Sequence, residues 1–165
     1  MANVTYDKNC LTVLDHPLVG HKMTILRDES TAPAHFRKLV HELAALEAYE
    51  ATRDLPTTQV QVKTPICETE GVRLKDDALA VVPILRAGMG MLEGVLSVVP
   101  SAAVGVLGME RDEETHEPHS YYAKMPQGIE NRMALVIDPM LATGGSALAA
   151  IKYLREAGVK DIRLL

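Results

Sequence analysis

The chain has 165 residues, of which 47% are hydrophobic and 24% are charged. This length corresponds to one domain, and the composition is that of a soluble globular protein, which excludes a largely disordered chain. Seventeen basic residues against 22 acidic ones give a formal net charge of -5. That balance argues against nucleic-acid binding through a broad basic face, although it leaves room for a local basic pocket that binds an anion.

No segment predicts a membrane helix or a signal peptide. The longest run without a charged residue, from Gly94 to Met109, is shorter than the roughly 20 apolar residues that span a bilayer. The first ten residues include Asp7 and Lys8 and contain no apolar stretch typical of a signal peptide. The two cysteines, Cys10 and Cys67, form no metal-binding pattern and indicate reduced thiols. We therefore expect a cytoplasmic protein without a membrane or nucleic-acid partner.

The N-terminal region predicts a helical arm. Up to about Arg27 the sequence is mixed and indicates irregular chain, whereas Ser30 or Thr31 can cap a helix that has Pro33 in its first turn. Apolar residues then recur at helical spacing, and the helix is predicted to end near Thr52. These apolar residues are Phe36, Leu39, Val40, Leu43, Leu46 and Tyr49.

Five segments predict strands. Alternation of polar and apolar residues over Gln59–Ile66 indicates a half-buried strand. Continuous apolar runs at Ala78–Leu85, Ala102–Met109 and Arg132–Ile137 indicate strands that are buried on both faces, which is typical of a parallel sheet. A further strand begins at Lys160–Leu165.

Helices and one long loop separate these strands. Met89–Val98 and Ser146–Ala157 predict helices, and Gly158 is well placed to end the second one. Glu110–Gln127 is polar and charged and predicts a flexible hairpin loop. The order of elements predicts an α/β fold with a mostly parallel sheet flanked by helices.

Charged or glycine-rich elements follow three of the predicted strands. They are Arg86–Gly88, Glu110–Asp112 and Asp138–Ser146. Ligands of such folds bind at the carboxyl ends of the strands, so we expect these three elements to meet at one edge of the sheet.

The turn from Asp138 to Ser146 carries the clearest chemical signal. Gly144 and Gly145 let the backbone turn tightly and bring its N–H groups close to a ligand. The helix that follows offers unsatisfied N–H groups and a partial positive charge, which suit a phosphate. Thr143 and Ser146 add hydroxyl donors, and the carboxylate of Asp138 can accept hydrogen bonds from sugar hydroxyls.

A plainer interpretation of this turn stays open at this point. Thr143 or Ser146 can be an ordinary helix cap, with the glycines as turn formers and Asp138 as a strand-end residue. The turn is not a Walker loop, because it lacks Gly-Lys-Ser/Thr, and it lacks the Gly-x-Gly-x-x-Gly pattern of dinucleotide-binding proteins.

The segment Asp138–Ser146 closely resembles the phosphoribosyl-diphosphate (PRPP) motif of type I phosphoribosyltransferases, in the form found in the uracil phosphoribosyltransferase family. Pro139 stands where most of the superfamily has a second acidic residue, and Ala142 stands where purine enzymes often have one. Val82–Gly88 is similar to the family's pyrophosphate loop, and Gly108–Thr115 is similar to the start of its flexible loop.

The resemblance implies the site residues. It assigns catalytic roles to Arg86, Arg111 and Asp138, which would also contact PRPP. It implies a non-proline cis peptide beside Arg86. The remaining PRPP-binding residues that it implies are Pro139, Met140, Leu141, Ala142, Thr143, Gly144, Gly145 and Ser146.

The resemblance also implies the reaction, in which uracil and PRPP give UMP and diphosphate. Mg²⁺ would arrive bound to PRPP, and no dedicated protein metal site is expected. The family further implies a homo-oligomer and a GTP effector. Two alternatives stay open, namely a phosphoribosyltransferase for another base and a regulatory module of pyrimidine metabolism that binds PRPP, a nucleotide or RNA.

The family's Gly-Asp-Ala-Gly segment, which recognises uracil, does not occur in residues 1–165. We therefore expect a single phosphoribosyltransferase domain over 1–165 that is incomplete at its C-terminal end. The isolated 165-residue chain is expected to be inactive and poorly stable, with an exposed sheet edge.

Overall fold

The computed structural model describes residues 10–111 and 118–165. It has an α/β fold in which helices flank a mixed sheet. The helices are α1 (Pro17–Leu26), α2 (Pro33–Ala51), α3 (Met89–Val98) and α4 (Gly145–Glu156), with a 3-10 turn at Ile129–Asn131. The strands are β1 (Thr57–Lys63), β2 (Glu68–Leu74), β3 (Leu79–Leu85), β4 (Ala103–Val104), β5 (Val106–Arg111), β6 (Pro118–Lys124), β7 (Met133–Ile137) and β8 (Ile162–Leu164).

The main sheet has the order β6-β5-β3-β7-β8, and β4 also pairs with β3. All of its pairings are parallel except that of β5 with β6. β3 and β7 lie side by side in the middle, with Leu79 opposite Met133 and Pro83 opposite Ile137. Both strands are buried along almost their whole length, as their continuous apolar sequences predicted.

Two apolar clusters cover the two faces of this sheet. On one face, side chains of α2 and α3 pack against β3 and β7, with Val95, Leu135 and Ile137 completely buried. On the other face, Leu154 of α4 packs with Val82 and Leu107. Burial on both faces makes the central strands a rigid support for whatever follows their carboxyl ends.

The N-terminal arm differs from its prediction in two ways. The part before Arg27, predicted to be irregular, contains helix α1, where the Leu18 N–H donates to Nδ1 of His16 at 3.1 Å. No residue of α1 is buried, so the sequence carries no amphipathic signal for it. The predicted side-chain cap of α2 is also wrong. The cap position is Ala32, and the hydroxyl of Thr31 donates to the carbonyl oxygen of Ile25 instead.

Two members of the predicted core face of α2 are exposed. Phe36 keeps 42% and Tyr49 keeps 67% of its surface accessible, whereas Leu39 and Leu43 are buried as predicted. Helix α2 contacts the sheet and α3 along a narrower stripe than the periodicity predicted, which leaves its two aromatic residues outside the contact.

The predicted strand near Gln59 pairs with a strand that the sequence did not predict. β1 and β2 form a separate antiparallel two-stranded sheet, with Thr57 opposite Leu74 and Lys63 opposite Glu68. Most residues of β2 are exposed on both of its faces, so its sequence lacks the alternation of a half-buried strand.

The predicted strand Ala102–Met109 and the polar loop after it also differ in detail. The strand is divided into β4 and β5, and Gly105 lies between them. β5 then forms an antiparallel hairpin with β6, in which Val106 lies opposite Lys124. The prediction of a hairpin is therefore confirmed, and the tip of the hairpin lies outside the described residues.

None of the helices in the described ranges has the length and apolar composition needed to span a membrane.

Candidate functional site

Parallel pairing brings the ends of three strands to the same edge of the sheet, here called the carboxyl edge. β3 ends at Leu85 directly before Arg86, and β7 ends at Ile137 directly before Asp138. β5, parallel to β3, ends at Arg111. The expectation that these three segments meet at one edge is therefore confirmed for the backbone of Arg86, Arg111 and Asp138.

The turn after β7 lines an open cleft beside the start of α4. Gly144 is the N-cap of α4 and has φ +79°, a left-handed conformation that favours glycine. The plainer interpretation, in which Thr143 or Ser146 caps the helix, does not match the structure, because a glycine holds the cap position and α4 begins at Gly145. Gly144 has no side chain that could accept from the first turn of α4, and N–H groups at the start of a helix are suited to bind an anion.

The cleft includes most of the residues predicted for the turn. Pro139 is the one predicted turn residue that does not line it. Ala147 and Leu164 line it but were not predicted. Leu164 could have been found from topology, because β8 is the parallel neighbour of β7 and its end must lie beside Asp138. The predicted lining residues are Asp138, Met140, Leu141, Ala142, Thr143, Gly144, Gly145 and Ser146.

Asp138 holds a half-buried carboxylate at the start of the cleft. Partial burial raises the pKa of Asp138 above its ordinary value, and a hydrogen bond from the Met140 N–H opposes that rise. Its own N–H donates to the carbonyl oxygen of Leu165 at 3.0 Å, which fixes the backbone at the strand end. The carboxylate therefore has unused acceptor capacity toward the cleft.

Arg86 is exposed to solvent and directly follows β3, the strand that pairs with β7. Within the described part of the chain, its guanidinium group has no hydrogen bond or ion pair to protein. The peptide bond between Leu85 and Arg86 is cis, which confirms the predicted cis bond beside Arg86. An unpaired guanidinium group is suited to bind a phosphate oxygen.

The hairpin contributes a third element to the edge. The backbone of Arg111 pairs with Pro118, but its side chain lies outside the described part of the structure, so its predicted role stays a prediction. Tyr121 lies over Gly108, where an added Cβ would come within 2.5 Å of the tyrosine ring. Tyr121 and Tyr122 are both about half exposed.

The described residues of the cleft offer few ligands to a metal ion. Within the described ranges, no group of three or more His, Cys, Asp or Glu side chains is arranged to hold a metal. Among the residues that the structure describes, Asp138 is the one carboxylate that lines the cleft. A single carboxylate fits Mg²⁺ that is held chiefly by substrate phosphates and water.

Comparison with known proteins gives consistent matches over nearly the whole chain. A family model described as uracil phosphoribosyltransferase matches residues 13–165. The chain is 54% identical over 155 residues to the uracil phosphoribosyltransferase of Agathobacter rectalis, covering 94% of this chain and 74% of that protein. The uracil phosphoribosyltransferase of Paracoccus denitrificans is 49% identical over the same shares.

Solved structures agree with the sequence matches. The AQ2163 protein from Aquifex aeolicus superposes with a TM-score of 0.86 and 37% identity, over 93% of this chain and 73% of that one. A hypoxanthine phosphoribosyltransferase from Staphylococcus aureus, at a TM-score of 0.55 and 14% identity, covers 78% of this chain and 62% of its own and shares the fold alone. From the family model and the identity to its relatives, the chain belongs to the uracil phosphoribosyltransferase family.

Proposed function

We propose that this protein transfers the 5-phosphoribosyl group of PRPP to uracil, giving UMP and diphosphate. The observation that carries the proposal is the juxtaposition, at one sheet edge, of Arg86, which has no partner among the described residues, the half-buried Asp138 and the glycine turn that opens α4. PRPP presents three matching groups, which are a diphosphate, a ribose diol and a 5′-phosphate.

The turn is the proposed 5′-phosphate site. Backbone N–H groups at the start of α4 would donate to the phosphate oxygens, and the partial positive charge of the helix end would stabilise them. The hydroxyl of Ser146 adds a further donor at the edge of the cleft. Met140 and Leu141 are exposed on the outer part of the turn, so the phosphate is expected to bind toward Gly144–Ser146.

Asp138 is the proposed ligand of the ribose diol. A carboxylate accepts two hydrogen bonds from adjacent hydroxyl groups, and each such bond to a charged group contributes roughly 1.5–3 kcal/mol. The raised pKa of Asp138 reflects hydration lost by burial, which hydrogen bonds from the ribose hydroxyls would replace.

Arg86, together with Arg111, is proposed to bind the diphosphate. In the reaction N1 of uracil forms a bond to C1 of the ribose while the bond from C1 to the diphosphate oxygen breaks. The electron pair of that bond leaves with the diphosphate, and the proton of N1 passes to solvent water. A guanidinium group beside the leaving oxygens stabilises the charge that develops there, so catalysis is chiefly positioning and electrostatic stabilisation.

Mg²⁺ is proposed to bind with PRPP, and among the described residues that line the cleft Asp138 is the carboxylate that could also contact it. When bound, the ion would neutralise part of the diphosphate charge. The protein groups would hold the ribose and the phosphates in place around it.

A homo-oligomer, a GTP effector and a cytoplasmic location remain predictions that rest on the family resemblance. Sedimentation tests the first, and we expect a mass above that of one chain. An assay of UMP formation with and without GTP tests the second, and we expect a higher rate with GTP. One mass equal to a single chain would contradict the first, and an unchanged rate would contradict the second.

The proposed reaction is tested by incubating the protein, as the cell makes it, with labelled uracil, PRPP and Mg²⁺. We expect labelled UMP to form and to require PRPP. Cytosine and hypoxanthine serve as competing bases and should give little or no product. Product from hypoxanthine in preference to uracil would favour the other-base alternative. Binding of RNA with a steep salt dependence but no UMP would favour a regulatory module.

A further inference from the structure

Gly88 lies where the two halves of the proposed site touch. It is buried, and its φ of −58° and ψ of −21° are ordinary helical values that any residue adopts. The backbone conformation therefore does not require a glycine at this position. The lack of space requires a glycine, because an added Cβ would lie 2.3 Å from the carbonyl oxygen of Ile137.

The other two close atoms belong to Ile84, in the half of the site that contains Arg86. The same Cβ would lie 2.8 Å from the nitrogen and 2.9 Å from the carbonyl oxygen of Ile84. All three are backbone atoms of buried strands, so no side-chain rotation can relieve the overlap. Ile84 is two residues before Arg86, and Ile137 is directly before Asp138.

We propose that Gly88 is a positioning residue, whose missing side chain sets the distance between the Arg86 loop and the Asp138–Ser146 turn so that one PRPP molecule can span both. The inference rests on the proposed function. Ribose 5-phosphate would contact only the turn and pyrophosphate only the loop, whereas PRPP would contact both. Widening the gap would therefore weaken PRPP binding more than the binding of either part.

The chain offers two matched controls on α3. At Gly94 an added Cβ would lie 2.2 Å from the carbonyl oxygen of His41, which is an equally severe overlap, but one between α2 and α3. At Gly90 the nearest atom would be Cγ1 of Val40 at 3.7 Å, which is ordinary contact. Gly94→Ala thus reproduces the steric overlap away from the site, and Gly90→Ala reproduces the substitution without overlap.

The test measures, by titration calorimetry, the affinities of the three alanine variants and the unsubstituted protein for PRPP, ribose 5-phosphate and pyrophosphate. For Gly88→Ala we expect PRPP affinity to fall by at least about tenfold, while the affinities for the two parts change less than about threefold. Gly94→Ala should lower the unfolding temperature and keep PRPP affinity, and Gly90→Ala should change neither.

Unchanged PRPP affinity in Gly88→Ala, or an equal loss for all three ligands, would overturn the inference. If the unsubstituted protein does not bind PRPP, the proposed function fails instead, so the two failures are distinguishable. If Gly88→Ala does not fold, amide resonances of the unsubstituted protein decide. Ribose 5-phosphate should then shift the Gly88 resonance along with those of the turn, and an unmoved Gly88 resonance would contradict the inference.

Discussion

Arg163 and Arg86 are guanidinium groups at opposite ends of the parallel strands, and their surroundings differ. Arg163 lies near the amino edge, where β3, β7 and β8 begin, and donates to the carboxylate of Asp54 at 2.6 and 3.0 Å. It also donates to Asp161 at 3.1 Å and to the carbonyl oxygen of Ala51 at 2.6 Å. Arg86, at the carboxyl edge, has no protein partner among the described residues.

The two clefts also differ in the charged side chains that line them. The cleft at the amino edge is lined by four acidic and four basic side chains, so their charges balance. They are Asp54, Asp77, Glu130, Asp161, Lys75, Arg132, Lys160 and Arg163. Arg163 forms ion pairs with Asp54 and Asp161, whereas Nε of Arg132 is buried without a hydrogen-bond partner among the described residues. Paired charges hold the elements of the fold together, whereas unpaired and partly desolvated ones are typical of a site that binds a ligand.

The largest expected effect comes from Arg86→Gln at the carboxyl edge. Loss of paired, charged hydrogen bonds to the diphosphate should lower PRPP affinity by about a hundredfold to a thousandfold. The free energy of unfolding should change by less than about 0.5 kcal/mol, because the exposed Arg86 has no hydrogen bond or ion pair to lose within the described part of the chain. Titration calorimetry and urea unfolding measure the two quantities.

The matched control is Arg73→Gln, since Arg73 is also exposed and lies on the separate β1–β2 sheet. It should change neither quantity. Equal losses of PRPP affinity in both variants would mean that general positive charge, not the position of Arg86, binds the ligand.

Asp138→Asn should separate binding from stability. PRPP affinity should fall by about tenfold to a hundredfold, because the amide accepts hydrogen bonds from the ribose diol more weakly than the carboxylate. Stability at pH 7 should be equal or higher. Burial raises the pKa of Asp138 in the folded protein, so its ionisation disfavours folding.

The pH dependence of stability tests the direction of the Asp138 pKa shift. The stability penalty of Asp138 should be absent below its ordinary pKa of 3.8 and fully present above its raised folded-state pKa. The unfolding temperature of Asp138→Asn relative to the parent should therefore rise as pH increases through this window. A relative fall over the same window would contradict the assigned direction of the pKa shift.

Two glycines with positive φ, one at each end of α4, allow the edges to be compared directly. Gly144 has φ +79° and Gly158 has φ +90°. Either glycine replaced by alanine should lower the free energy of unfolding by about 1–2 kcal/mol, because the left-handed conformation disfavours a Cβ. Only Gly144→Ala should also weaken PRPP binding. Loss of PRPP affinity in Gly158→Ala to the same extent would show that α4 as a whole, rather than its first turn, governs binding.

The smallest effect on binding is expected for Arg163→Met at the amino edge. Removing its hydrogen bonds to Asp54 and Asp161 should lower the free energy of unfolding by about 1–2 kcal/mol and leave PRPP affinity within about twofold. Arg53→Met is the control, because the one ion pair of Arg53 within the described residues is a surface pair with Glu50, and its loss should change stability by less than about 0.5 kcal/mol. A large loss of PRPP affinity in Arg163→Met would remove the distinction between the two edges.

The sequence predicted best those elements whose burial is uniform. β3 and β7 have continuous apolar sequences, and the turn between β7 and α4 combines glycines with hydroxyl side chains, so both were found to within a residue or two. Helix α1 and strand β2 were missed because neither has a buried face. The need for glycine at position 88 could not be predicted, because it arises from an approach to Ile137, which is distant in sequence.

The central claim is that the carboxyl edge binds PRPP through the turn after β7. Its most direct test is a titration of the labelled protein with PRPP and Mg²⁺, followed by amide resonances. We predict large shifts for Thr143, Gly144, Gly145 and Ser146 and small shifts for Gly158 at the far end of α4. Turn resonances that stay in place while PRPP binds, or shifts concentrated at Gly158, would contradict the claim.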